Sequence, residues 1–139
     1  MSNASALGYR ISPGQSRLWL QQQRSPVYRA QGAIRIDGPV HLPSLRDSLQ
    51  SIIDRLEILR TTFRLQSGIR VPWQVIADVD ELSWQQRDWS GCNPEQVEAS
   101  LDELLRDERT TAVHVGTGPT VQITLATVAS HEHYLIVSL

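Results

Sequence analysis

The sequence predicts an α/β fold: a two-layer sandwich with helices packed on a mixed β-sheet. Three observations carry this. Two segments repeat apolar residues at helical spacing. Several others alternate apolar and polar residues as strands do. The two kinds interleave along the chain, and its most hydrophobic stretch is a strand pattern at the C-terminal end.

Composition fits that class. The 139 residues suit one domain or part of one. Hydrophobic residues make up 40% and charged residues 20%, a globular balance. The longest apolar run, Tyr134–Val137, is far short of a membrane span. With no secretory signal pattern, a cytoplasmic location is expected. A net charge of -2 argues against general nucleic-acid binding. Single Cys92 excludes an internal disulfide and a multi-cysteine zinc site. All 13 basic residues are arginine, which excludes lysine Schiff-base chemistry. Codon bias in a GC-rich genome is the preferred reading of that usage.

The elements follow in order. Residues 1–10 open with Met1-Ser2-Asn3-Ala4-Ser5-Ala6 and are expected to be disordered or tag-derived. The folded region is expected over 11–139. Ser12-Pro13-Gly14-Gln15 reads as a helix start, with Ser12 as cap and Gln15 closing a capping box. That helix fades near Ser25-Pro26. Tyr28 to Asp37 alternates as a strand and ends at Gly38-Pro39. His41 can cap the next helix. Pro43 to Leu59 is the clearest helix, with Leu45, Leu49, Ile52, Ile53 and Leu56 on one face.

Thr61 to Leu65 and the run through Val71, Trp73 and Val75 read as a hairpin around Ser67-Gly68, with Pro72 at an edge or bulge. Leu82 to Trp89 is a further short strand. Asn93, Pro94 and Gln96 open a helix to about Arg109, whose charges suit its dipole. Thr110 to Pro119 is a loop. Val121, Ile123 and Leu125 alternate, Ser130-His131-Glu132 turns, and His133 to Leu139 reads as a strand buried on both faces. Because termini usually lie at the surface, that ending predicts a domain cut short at its C-terminus.

Conventional catalytic patterns are missing. There is no G-x-S-x-G elbow, P-loop or G-x-G-x-x-G. Cys92 sits in a Ser-Gly-Cys-Asn turn without a neighbouring base and reads as a bystander thiol. Gly116-Thr117-Gly118 precedes a strand, not a helix. His131 and His133 are spaced as H-x-H, yet a third metal ligand is not evident, so no metal is assigned. His114 has no visible partner.

Two segments are more specific. Ser12-Pro13-Gly14-Gln15-Ser16-Arg17-Leu18-Trp19-Leu20 resembles S-x-A-Q-x-R-L-W-x-L. Arg55-Leu56-Glu57-Ile58-Leu59-Arg60-Thr61-Thr62-Phe63 resembles R-H-E-x-L-R-T-x-F. These are the opening motifs of the condensation domains of nonribosomal peptide synthetases, and their separation also fits. Ile34 to Val40 is similar to the family's strand and Gly-Pro turn, and Gly118-Pro119 to its D-x-x-x-G-P-x-x-R region. The chain departs from the pattern at Gly14, at Leu56, and over Thr111 to Val115.

The resemblance implies the N-terminal lobe of a chloramphenicol acetyltransferase-like fold. It implies amide formation between an acyl or peptidyl thioester and an amine. Both are carried by phosphopantetheine on carrier proteins, and no cofactor binds directly. The family's H-H-x-x-x-D-G signature is expected just after Leu139. No catalytic residue is therefore assigned in this chain, which alone is expected to be inactive. Arg60 matches the arginine that supports the active-site loop by pairing with the signature's aspartate. Ser12, Gln15, Arg17, Leu18 and Trp19 hold first-motif positions, and Arg55, Glu57, Leu59, Arg60, Thr61 and Phe63 second-motif positions. Capping and anchoring the first helix is the preferred role for Ser12, Gln15 and Arg17.

The expected partners are carrier proteins and the C-terminal lobe, with no nucleic acid and no membrane. Self-association through uncovered apolar surface is also expected. The alternatives are a heterocyclisation, epimerisation or ester-forming relative, or a non-catalytic carrier-docking module. The substrates are not encoded here.

Overall fold

A computed structural model describes residues 7–24, 29–78, 81–110 and 121–139. Expectations for Met1 to Ala6, Ser25-Pro26, Tyr28 and residues 111–120, including His114 and Gly116 to Pro119, lie outside the described residues.

Two sheets organise the chain. The smaller contains β1 (Leu7–Arg10), β3 (Thr61–Arg64) and β4 (Trp73–Ile76), in the order β1-β4-β3 and all antiparallel. The larger contains β2 (Gln31–Asp37), β5 (Ser83–Asp88), β6 (Gln122–Ala129) and β7 (Glu132–Ser138), in the order β2-β7-β6-β5. Its β5–β6 pair is parallel and the others are antiparallel, so the sheet is mixed as expected. The helices are α1 (Pro13–Gln22), α2 (Leu42–Arg55) and α3 (Pro94–Thr110).

Strand alternation sets which helix each face receives. Ile123, Leu125 and Leu135 share a cluster with Ile53 of α2, flanked by Leu45 and Leu49. The next residues along the same strands, Ala126 and Ile136, face the other way. They pack with Val97 of α3, flanked by Leu101, Leu104 and Leu105. Helices thus pack on the mixed sheet with one on each side, and β7 is covered on both faces. Half-buried Cys92 packs against the second cluster.

Local sequence explains the helix starts. Ser12 Oγ accepts from Gln15 N at 3.2 Å, while Gln15 Oε1 accepts from Ser12 N at 2.8 Å. Asn93 and Gln96 repeat the reciprocal bonds at α3, at 2.9 and 2.8 Å. At α2 the cap is His41, whose Nδ1 accepts from Ser44 N at 3.3 Å. Gly38 has φ 135°, a left-handed turn conformation that favours glycine, and its N–H bonds His131 O at 2.7 Å.

Two expectations are corrected. Leu7–Arg10 is not part of a disordered tail. It is β1, with Leu7 opposite Ile76 and Arg10 opposite Trp73. Its hydrogen-bonding partner is remote in sequence, so local composition carried no sign of it. The helix expected to reach Leu59 stops at Arg55. Leu56 is extended, at φ -108° and ψ 100°, and Glu57–Arg60 forms one 3-10 turn.

Candidate functional site

The two motif segments converge on β3. Trp19 of α1 and Phe63 of β3 meet at a ring separation of 6.1 Å and a tilt of 46°. Gln15 Nε2 reaches Gln74 Oε1 on β4 at 3.5 Å. Gln15, Leu18, Trp19, Gln22 and Phe63 line a cleft of about 180 Å³. That is below the roughly 300 Å³ at which small-molecule sites begin. The cleft is a packing seam between the motifs and not a substrate pocket by itself.

The second motif forms a tight corner. Thr61 is buried, and its Oγ1 donates to Glu57 O at 2.7 Å. Leu59 packs against the core cluster beneath α2. Arg17, Arg55 and Glu57 are exposed, so these motif positions do not join the same contact set.

Arg60 is the hub of that corner. Its Nε donates to Ile53 O at 3.2 Å and its Nη2 to Asp54 O at 3.2 Å, both acceptors in the last turn of α2. Its Nη1 donates to Ala77 O, and to Asp78 O at 3.3 Å, just after β4. The Ala77 N–H returns a bond to Arg60 O at 3.0 Å. A helix end leaves its final carbonyls without intrahelical partners. Arg60 satisfies two of them and ties that end to the β4 exit.

Sequence reasoning missed a second polar cluster, at the opposite end of α3 from its cap. Glu108 is only 5% exposed. Its carboxylate accepts from the hydroxyls of Ser138, at the end of β7, and of Thr124 on β6, the latter at 3.4 Å. Gln31 Nε2 donates to Ser138 Oγ and to Leu105 O, each at 3.2 Å. Arg109 Nε donates to Gln31 Oε1 at 2.7 Å. Arg29 donates to the main-chain oxygen of Glu108 and to Gln122 Oε1. The carboxylate of Glu108 has no ion pair among the described residues. One signal was available: Glu108 stands three and four residues from Leu105 and Leu104, on the apolar side of its helix.

The histidine pair does not converge. His131 is exposed in the β6–β7 turn, while His133 is buried with Nδ1 3.1 Å from Thr127 Oγ1. No group of three metal-ligating side chains occurs among the described residues. Two exposed charges are shifted, both away from the motifs. Asp88 is lowered because the Ser90 hydroxyl and backbone N–H bond it. Arg35 is raised by Asp37 and Glu132. No described helix is long and apolar enough to cross a membrane.

Comparison with known proteins matches this architecture. The Condensation domain family matches residues 6–139. A linear gramicidin synthase from Brevibacillus parabrevis is 30% identical over 132 residues, which is 93% of this chain and 2% of that protein. Cyclosporin synthetase of Tolypocladium inflatum is 31% identical over 124 residues, 87% of this chain and 1% of that protein. The starter condensation domain of rhizomide synthetase superposes with a TM-score of 0.82 at 24% identity, covering 94% of this chain and 30% of that one. The chain thus spans a small part of each relative. It belongs to the condensation domain family found in nonribosomal peptide synthetases.

Proposed function

We propose that the chain is the N-terminal-lobe part of a condensation domain that joins two carrier-bound substrates through an amide bond. The amine nitrogen of the acceptor attacks the thioester carbonyl of the donor. A C–N bond forms and the C–S bond breaks. The amine gives up a proton, and the phosphopantetheine thiol of the donor carrier leaves with one. The partners in this reading are two carrier proteins and the C-terminal lobe. The histidine that orients or deprotonates the amine belongs to the signature expected after Leu139. An attacking amine must be neutral and aligned, which a histidine within hydrogen-bond reach provides.

The observation that carries this reading is the corner at Arg60, where the second motif's arginine ties the end of α2 to the exit of β4. Arg60 acts here as support for the active-site loop. A guanidinium has five N–H donors. Carbonyl oxygens take four of them, so the signature aspartate would meet the one remaining Nη2 proton. In this reading the aspartate would be held by a single charge-assisted bond and not by a bidentate fork.

The test is amide formation between two loaded carrier proteins. The whole condensation domain containing this segment is expected to form the amide, and the 139-residue chain alone is expected to form none. Amide formation by the chain alone would overturn its inactivity. Turnover by the whole domain to a heterocycle, an epimer or an ester would replace the amide reading with that chemistry. Carrier binding without turnover by the whole domain would favour a docking module.

A further inference from the structure

The polar cluster at the end of β7 is not used by the chemistry above. We propose that Glu108 is a positioning residue: its buried carboxylate latches the end of β7 to the last turn of α3 and so fixes where the active-site segment begins. This rests on the condensation reading, in which the histidine signature follows Leu139.

The geometry is specific. Ser138 is fully buried, one residue from Leu139, and its hydroxyl donates to Glu108. Thr124, also fully buried, lies on the neighbouring strand β6 and donates to the other carboxylate oxygen. Gln31 joins from β2 on the far side of β7, bonding Ser138 Oγ. Beyond Ser138, the β2 and β7 backbones stay locked by Leu139 N to Ala30 O at 2.8 Å and Ala30 N to Leu139 O at 3.2 Å. The carboxylate thus gathers α3, β6 and β7 at one point, and Gln31 adds β2.

Stability alone does not explain the choice of residue. A buried carboxylate carries a large desolvation cost, and a well-packed apolar side chain of similar volume usually serves a core as well. What two acceptor oxygens add is direction. They hold two hydroxyls on adjacent strands in fixed orientation, as a positioning shell must.

The test uses the whole condensation domain with the flanking carrier proteins of the same synthetase, each loaded with its own substrate. Glu108→Leu removes both acceptors at similar volume, while Glu108→Gln keeps two polar atoms in place. Glu108→Leu is expected to lower kcat by roughly tenfold to a hundredfold, since small misplacements of reacting groups have that effect. KM for both carriers should stay near wild type. The melting temperature should fall, because two buried hydroxyls lose their acceptor, while the domain stays folded. Glu108→Gln should recover kcat to within about threefold.

A folded Glu108→Leu variant with wild-type kcat overturns the proposal, and so does a Glu108→Gln variant as impaired as Glu108→Leu. If Glu108→Leu does not fold, Ser138→Ala decides: lowered kcat at unchanged KM supports the latch, and unchanged kcat overturns it. An active wild-type domain with active variants removes the latch alone. A wild-type domain that forms no amide removes the condensation reading and the latch with it.

Discussion

The Arg60 guanidinium faces carbonyl oxygens on two elements, Ile53 and Asp54 on α2 and Ala77 and Asp78 after β4. Its motif position was legible from sequence, but its partners were not, because main-chain carbonyls have no residue signature. The consequence is measurable. Arg60→Ala leaves several acceptors without donors and should cost about 2–3 kcal/mol in denaturant unfolding. Arg60→Lys should recover little of this, because a compact ammonium cannot span four acceptors arranged around a planar fork. Full stability in Arg60→Lys would show that charge alone holds the corner. Glu108 is the opposite case. Its spacing from Leu104 and Leu105 hinted at the apolar side of α3, but its hydroxyl partners on β6 and β7 are remote in sequence and only the packing of α3 on those strands reveals them.

At the scale of elements, the ones with strong local signals were read best. The caps at Ser12, His41 and Asn93 were all expected, since each bonds within three residues of itself. The corrections arise where a distant strand or main-chain carbonyls decide. β1 exists through its pairing with β4, and α2 stops where Arg60 takes its last carbonyls. Helix α1 buries no residue completely, so its cap and the Trp19–Phe63 contact hold it in place. Ser12→Ala should therefore destabilise it by about 1 kcal/mol. Hydrogen exchange is the direct measure: amides of α1 should lose protection while those of α2 and α3 keep theirs. Uniform loss across the three helices would mean that α1 is part of the global cooperative unit.

At the scale of the whole molecule, the question is how much apolar surface the chain leaves uncovered. Among the described residues, twelve large hydrophobics are exposed and eleven apolar residues are buried. Ile58 is 75% exposed on the 3-10 turn, Leu20 58% on α1, Ile34 56% on β2 and Leu65 53% just after β3. Single exposed apolar residues are ordinary, but so many against so small a core leave considerable apolar surface in water. The charge on edge strand β2, with Arg35 bonded to Asp37 and Glu132, discourages pairing along that edge. Association at β2 should therefore run through side-chain faces and not through sheet extension. In light scattering, the apparent mass of the isolated chain should rise with concentration. Ile58→Lys, with Leu65→Lys added, should reduce that rise while leaving the far-ultraviolet circular dichroism unchanged, because neither side chain belongs to a buried cluster. A constant monomer mass at high protein concentration would mean that these residues do not form a joint adhesive surface.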